Sequence, residues 1–418
     1  MEQYTLKAPE LLHATVVLPA SKSISNRALI ASALAGGGVM PENLSDCDDT
    51  EVMVKALRDM PDEIDVKAAG TAMRFMTAYL TTTGGQHVIT GTERMTHRPI
   101  GELVNALRRM GAHVDYVDEE GFPPLRINGE SRPEGGQIEM AGSVSSQYVS
   151  ALLLIAPVLE RGLELRLTGD IVSRPYIDLT LHVMHDFGAR AEWTDVDTIG
   201  VPAGGYKPCA YRIENDWSAA GYWYEMMAIH DGDEDEIRLP GLLDGSRQGD
   251  SAVRYLFSML GVKTTFEQDE DGASVVTLRK VKRSLTRLDY DFEHQPDQAQ
   301  TFVVTCCLMD VPFRFTGLAS LKIKETDRIE ALKAEMLKLG YVVNDVDGKE
   351  LSWDGTRQSP TGEPIDTYED HRMAMAFAPA CLRFAGLRIN NPQVVTKSYP
   401  HFWDDLRRVD FQIESHNA

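Results

Sequence analysis

The chain has 418 residues, 43% hydrophobic and 25% charged, a composition that excludes a disordered, collagenous or disulfide-stapled protein and gives enough chain for two cores of about 200 residues each. Its 42 Lys and Arg against 63 Asp and Glu leave a net charge of -21, which excludes a general nucleic-acid surface, because that needs a basic footprint. A small anionic ligand would have to be held by a local cluster of cations.

Cys47, Cys209, Cys306, Cys307 and Cys381 show no metal-ligand spacing and read as reduced thiols with packing roles. No apolar run reaches the roughly 18 residues that a membrane span needs, and Met1 to Tyr4 show no signal-peptide pattern, so a cytoplasmic protein without membrane contact is expected.

In chain order, a strand-like run Ala14-Thr-Val-Val-Leu18 stops at Pro19, and Ser21-Lys-Ser-Ile-Ser-Asn-Arg27 then opens an apolar helix through Ala35. Serine suits a helix start because its oxygen accepts from unpaired backbone N–H groups, and Lys22 and Arg27 add charge where the helix dipole is already positive. Such an end attracts an anion. Segments of the same kind, rich in small and apolar residues on every face, begin at Gly70, Ser145, Ser218, Gln298 and Arg372 and read as buried helices. Measured from Ser23 through Gly70, Ser145, Ser218, Asp297 and His371, the starts lie 47, 75, 73, 79 and 74 residues apart. Four near-equal intervals and one short one indicate duplication.

Amphipathic helices are predicted between them at 51–60, 102–110, 178–187, 251–260, 328–339 and 401–409. Four of these end in glycine, at Gly111, Gly188, Gly261 and Gly340, the residue that closes a helix in a left-handed conformation. The chain therefore reads as six copies of a strand, helix, strand, helix, strand unit, three in each of two similar α/β domains. The first copy is short between Met60 and Gly70. The acidic runs Asp231 to Glu236 and Gln268 to Gly272 are expected to be solvated turns.

Cations and hydroxyls gather at these helix starts: Lys22, Arg27, Arg74, Arg98, Ser145-Ser-Gln147, Ser173-Arg-Pro-Tyr176, Lys324, Arg328, His371-Arg372 and Lys397. If the two domains turn these ends toward one cleft, dipoles and side chains together make a site for more than one phosphate or carboxylate. Asp48-Asp49, Asp297 and Glu325 stand among the cations as candidate acids and bases, whereas Asp327 and Glu369-Asp370 would neutralise their Arg neighbours.

Ser21 to Arg27, Ala69-Gly-Thr-Ala-Met-Arg74, Arg98-Pro-Ile100, Ser145 to Gln147, Ser173 to Tyr176, Pro296-Asp297, Lys324-Glu-Thr-Asp-Arg328, Asp370-His-Arg372 and Lys397 together resemble the motif series of the 5-enolpyruvylshikimate-3-phosphate synthase family, in the same order over nearly the whole chain. The resemblance implies two domains, each of three βαβαββ units packed as an inside-out α/β barrel, with one over 21–213 and the other over 1–20 plus 214–418. It implies transfer of the enolpyruvyl group of phosphoenolpyruvate to the 5-hydroxyl of shikimate 3-phosphate, with release of phosphate and with no metal or organic cofactor. A monomer is expected, its only partners the two small-molecule substrates.

By motif match, Lys22, Ser23, Arg27, Ser145, Ser146, Gln147, Ser173, Tyr176, Asp297 and Lys324 would hold shikimate 3-phosphate. Lys22, Gly70, Arg98, Gln147, Arg328, Arg372 and Lys397 would hold phosphoenolpyruvate. Asp297 would take the hydroxyl proton, Glu325 would serve C3 of the vinyl group, and Lys22 would protonate the leaving phosphate. Two departures stand out: Ala68 replaces an Asn of the family pattern and Phe75 a Pro, next to the shortened 60–67 segment. Weaker phosphoenolpyruvate binding than in a member with Asn is expected. Two other readings are the sister transfer to UDP-N-acetylglucosamine, which would place a Cys in the loop before Arg98 where this chain has none, and a non-catalytic phosphometabolite-binding protein, which would need the cations but not the acids.

Overall fold

The computed structural model describes residues 2–232, 234–270 and 272–417, and the chain divides into two compact units, one of residues 20–213 and one of residues 1–19 with 214–418. The order begins with β1 (Glu2–Lys7) and β2 (His13–Thr15). Residues 20–213 then contribute α1 (Lys22–Leu34), α2 (Asp48–Asp59), β3 (Glu63–Asp65), α3 (Gly70–Leu80), β4 (Gln86–Thr90), α4 (Glu93–Thr96), α5 (Gly101–Arg109), β5 (His113–Tyr116), β6 (Leu125–Asn128), β7 (Gly136–Ala141), α6 (Ser146–Ile155), β8 (Leu163–Thr168), α7 (Arg174–Asp186), β9 (Glu192–Trp193) and β10 (Thr198–Val201). From residue 214 follow α8 (Trp217–Ile229), β11 (Glu236–Pro240), α9 (Val253–Met259), β12 (Val262–Gln268), β13 (Ser274–Lys280), β14 (Leu288–Asp291), α10 (Ala299–Leu308), β15 (Phe313–Thr316), α11 (Arg328–Lys338), β16 (Asn344–Val346), β17 (Glu350–Trp353), α12 (His371–Phe377), β18 (Leu387–Asn390), α13 (Phe402–Arg408) and β19 (Gln412–Asn417).

Four sheets share one topology, a parallel pair followed by two antiparallel neighbours: β3-β4-β6-β5, β7-β8-β10-β9, β2-β11-β13-β12 and β14-β15-β17-β16. The fifth copy is completed by the chain ends, with β1 antiparallel between β18 and β19 and residue 365 bridging to 389 in parallel. The sixth shrinks to one bridge, Glu42 to Arg212, so among the described residues the expected six copies, the first of them short, become four full sheets, one sheet of three strands and a remnant. The sheets stay separate and none closes into a hydrogen-bonded barrel.

Each unit keeps its apolar helices inside. In one, α1, α3 and α6 pack on one another; in the other, α10 lies against α8 and α12. Every residue of α3, α10 and α12 is buried, which is why these segments carry small and apolar residues on all faces rather than a single stripe. The strands alternate buried and exposed side chains, as in β8 and β4, and so cover the helices with one face. Gly111, Gly188, Gly261 and Gly340 all take φ between 80° and 100°, the left-handed geometry that ends the preceding helix without a Cβ penalty. One expectation fails. Within the acidic run at 231–236, Asp235 is only 3% exposed, accepts from the Leu12 N–H at 3.0 Å and pairs with His230 Nδ1 at 2.5 Å. A buried backbone donor more than two hundred residues away needed this acceptor.

Candidate active site

In the unit of residues 20–213, α1 opens with Ser21 accepting from the Ile24 N–H, and Lys22 reaches Asp49 in the first turn of α2 at 3.2 Å. Arg27 is 3% exposed and knits three helices together. Its Nε donates to Thr180 Oγ1 at 2.7 Å, Nη1 to the Ser23 carbonyl at 2.8 Å, and Nη2 to Ser150 Oγ at 3.2 Å and the Tyr176 carbonyl at 3.1 Å. Burial lowers its pKa to about 10, and its guanidinium lies 5.5 Å from the centre of the Phe75 ring. These bonds bring Ser23 and Tyr176 to the same end of the unit. Ser173, buried in a left-handed conformation, stands just before α7 without a side-chain cap bond, one turn before Tyr176.

The start of α3 has no side-chain cap, since Ala69 stands there. The Arg98 guanidinium lies on it so closely that a Cβ at Gly70 would sit 2.7 Å from Nη1, so any larger residue would push the guanidinium off the helix start. Arg98 Nε is buried without a hydrogen-bond partner among the described residues. Ser145 caps α6 by accepting from the Gln147 N–H, and Gln147 Nε2 donates to Thr71 Oγ1 at 3.1 Å, joining the starts of α6 and α3. Ser146 is the first residue of that helix. Uncapped N–H groups, a guanidinium and an amide thus converge where an anion is stabilised.

Two cations at these helix starts that were assigned to neither substrate make structural contacts. Arg74 turns inward to the carbonyls of Gly70 and Pro99 at 3.1 and 3.0 Å, holding the residue next to Arg98. Arg174 stacks 3.8 Å over the Trp193 ring and donates to the Val196 carbonyl. Ala68 is exposed just before the α3 cap.

In the other unit the cations meet acids. Asp297 lies in a single turn of 3-10 helix, Pro296–Gln298, that leads into α10. It accepts from Arg328 Nη1 at 2.9 Å and Arg372 Nη2 at 3.1 Å and pairs with Lys324 Nζ at 3.5 Å. Arg328, 1% exposed, also donates to Glu325 at 2.9 Å and through Nε to Asp370 at 2.7 Å, while Lys397 pairs with Glu325 at 2.9 Å. Four cations and three carboxylates interlock. Burial would raise the Asp297 pKa, but Arg372, Lys324 and Arg328 outweigh it and hold the carboxyl well below the usual range. Burial likewise opposes the charge on Arg328, and Asp370, Glu325 and Asp297 overcome it and raise its pKa.

Asp327 was expected to offset Arg328, yet it caps α11, accepting from the Ile329 and Glu330 N–H groups; Asp370 pairs with Arg328 and caps α12 through the Arg372 N–H. Sequence reasoning missed Tyr222, whose buried hydroxyl accepts from Arg372 Nη1 at 3.4 Å and whose pKa burial pushes up to about 12. It hides among the core aromatics of α8. Among the described residues no group of three or more His, Cys, Asp or Glu is arranged to hold a metal ion, and no helix is long and apolar enough to cross a membrane.

A family model described as EPSP synthase (3-phosphoshikimate 1-carboxyvinyltransferase) matches residues 6–65 and 60–406, its two stretches meeting at the shortened segment. A 3-phosphoshikimate 1-carboxyvinyltransferase of Bacteroides fragilis is 58% identical over 413 residues, covering 99% of each chain. One from Vibrio cholerae is 35% identical over 437 residues, covering 98% of this chain and all of that protein. Among solved structures, an EPSP synthase from Acinetobacter baumannii superposes with a TM-score of 0.78 at 21% identity over the full length of both chains. An enolpyruvyl transferase from Streptomyces tendae does so with 0.72 at 17% identity, covering 100% and 99%. These last two share the fold.

Proposed function

The chain belongs to the EPSP synthase family, and from that premise we propose that it transfers the enolpyruvyl group of phosphoenolpyruvate to the 5-hydroxyl of shikimate 3-phosphate, a step toward chorismate and the aromatic amino acids. The observation that carries the reading is the Asp297 carboxylate held by Arg328, Arg372 and Lys324 beside Glu325. The hydroxyl must lose a proton as its oxygen bonds to C2, and C3 must gain one; the resulting ketal phosphate then loses phosphate and a C3 proton. Acids embedded among cations suit both demands, because the cations can transfer to the incoming phosphates and carboxylate.

In this proposal Lys22, Ser23, Arg27, Ser145, Ser146, Gln147, Ser173 and Tyr176, with Asp297 and Lys324, take shikimate 3-phosphate. Gly70, Arg98, Gln147, Arg328, Arg372 and Lys397, with Lys22, take phosphoenolpyruvate. Asp297 is the base for the hydroxyl. As Arg372 and Lys324 turn to substrate anions, their grip on the carboxylate loosens and its proton affinity rises. Glu325 serves C3 and Lys22 protonates the departing phosphate. Serving one pair of substrates with groups from both units is part of the proposal, as are a monomeric state, a cytoplasmic location and a need for no cofactor. Transfer to UDP-N-acetylglucosamine is not favoured, since the family and the relatives carry the 3-phosphoshikimate name.

A coupled phosphate-release assay with both substrates tests the reading. Wild type should turn over, and Asp297→Ala should lower kcat by at least about 100-fold, the scale of general base catalysis. Wild type that releases phosphate only with the nucleotide sugar, or with neither acceptor, would refute it.

A further inference from the structure

Tyr368 and Glu369 have φ of 53° and 55°, two consecutive side-chain-bearing residues in the left-handed region, where L-residues are disfavoured unless surrounding contacts hold them. They stand directly before Asp370, whose carboxylate receives Arg328 and caps the Arg372 N–H. The site's two buried arginines therefore depend on a strained turn, and something must hold it.

The contact that does so lies on α11. The Tyr368 hydroxyl donates to Glu335 Oε1 at 2.6 Å, and the Asp366 N–H donates to Glu335 Oε2 at 3.0 Å. Glu335 is fully buried and also pairs with Lys338 at 2.9 Å. It follows Arg328 by seven residues, two helical turns, so both face the same side of α11. The segment leading into α12 is thus fastened to α11 at its upstream end by Lys338, which donates to the Pro364 carbonyl and Asp366, and by Glu335 to the Asp366 N–H, and across the left-handed turn by Tyr368 to Glu335 and Asp370 to Arg328. Tyr368 is 36% exposed, so its packing contributes little, and phenylalanine would serve as well if packing were its role.

We propose that Tyr368 and Glu335 are positioning residues: their bond keeps the 368–369 turn left-handed and so fixes Asp370, which in turn sets Arg328 and Arg372 for phosphoenolpyruvate. The kinetic part rests on the enolpyruvyl-transfer reading; the structural part does not.

The test is Tyr368→Phe beside Glu335→Gln, whose amide can still donate to the Tyr368 hydroxyl while its oxygen accepts from the Asp366 N–H. In Tyr368→Phe, amide hydrogen exchange at Arg372, Met373 and Ala374 should speed up by about tenfold with the rest of the chain unchanged, because local opening is reported residue by residue. The KM for phosphoenolpyruvate should rise about fivefold, with the KM for shikimate 3-phosphate and the urea midpoint held, as loss of ground-state positioning requires. Glu335→Gln should stay within about twofold of wild type in exchange. Unchanged exchange in Tyr368→Phe, acceleration throughout the chain with a lower urea midpoint, or Glu335→Gln exchanging as fast as Tyr368→Phe would each overturn the proposal. A wild type that releases no phosphate would refute the enolpyruvyl reading instead, and the exchange result would still decide the latch.

Discussion

The two units meet the same requirement, many cations at buried helix starts, in different ways. In residues 20–213, apart from Lys22, which pairs with Asp49, the cations meet neutral groups: Arg27 donates to hydroxyl and carbonyl oxygens, and Arg98 lies on an uncapped helix start. In the other unit, Arg328, Arg372, Lys324 and Lys397 are tied to Asp297, Glu325 and Asp370. Cations satisfied by neutral groups keep their charge for an incoming anion. Cations paired with acids must exchange partners to receive one, and that exchange changes how firmly the acids hold a proton. The first arrangement suits binding and the second suits proton transfer.

The largest break in the comparison is Arg328→Ala, which leaves the buried Asp370 without its guanidinium and should destabilise the protein by about 3–5 kcal/mol in urea titration. A loss below about 1 kcal/mol would mean that the acid cluster does not depend on its cation. Next comes Asp297→Asn, read against pH. The folded pKa of Asp297 is depressed, so its ionised form contributes stability that is fully present above the unfolded value, near about pH 4, and is lost as pH falls through the lower folded value. Urea midpoints should therefore fall more steeply in wild type than in Asp297→Asn between about pH 5 and 2; parallel curves would show that the cations do not hold the carboxylate as described. The smallest effect on folding is expected for Arg98→Ala, within about 0.5 kcal/mol, because its nearest partner is a helix start that water can satisfy. Its KM for phosphoenolpyruvate should nonetheless rise about tenfold, the cost of one charge-assisted contact to the substrate. Equal losses of stability in Arg98→Ala and Arg328→Ala would erase the contrast between the units.

Much of the local architecture was legible in the chain. Segments apolar on all faces became the interior helices, and Gly111, Gly188, Gly261 and Gly340 ended theirs in left-handed turns. The charged residues that cluster around Asp297 were each visible as a motif near a helix start. Their partners were not. Arg74 and Arg174 stood among the helix-start cations and brace Pro99 and stack on Trp193, and Asp235 looked solvated and is buried. Tyr222 and Tyr368 carried no signal, one submerged in an apolar helix and the other beside a motif.

Periodicity, caps and glycine stops act over a few residues, so the order of amino acids alone determined most of the helices and the family, while most strands took shape only through pairing with distant partners. Which charge answers which depends on angstrom-scale distances between residues such as Asp297 and Arg372, or Arg328 and Asp370, that lie far apart along the chain. Only the packing of α10, α11 and α12 brings them within reach, because Coulomb and hydrogen-bond energies in a buried site fall away over a few ångströms while sequence patterns record only which face of an element is buried.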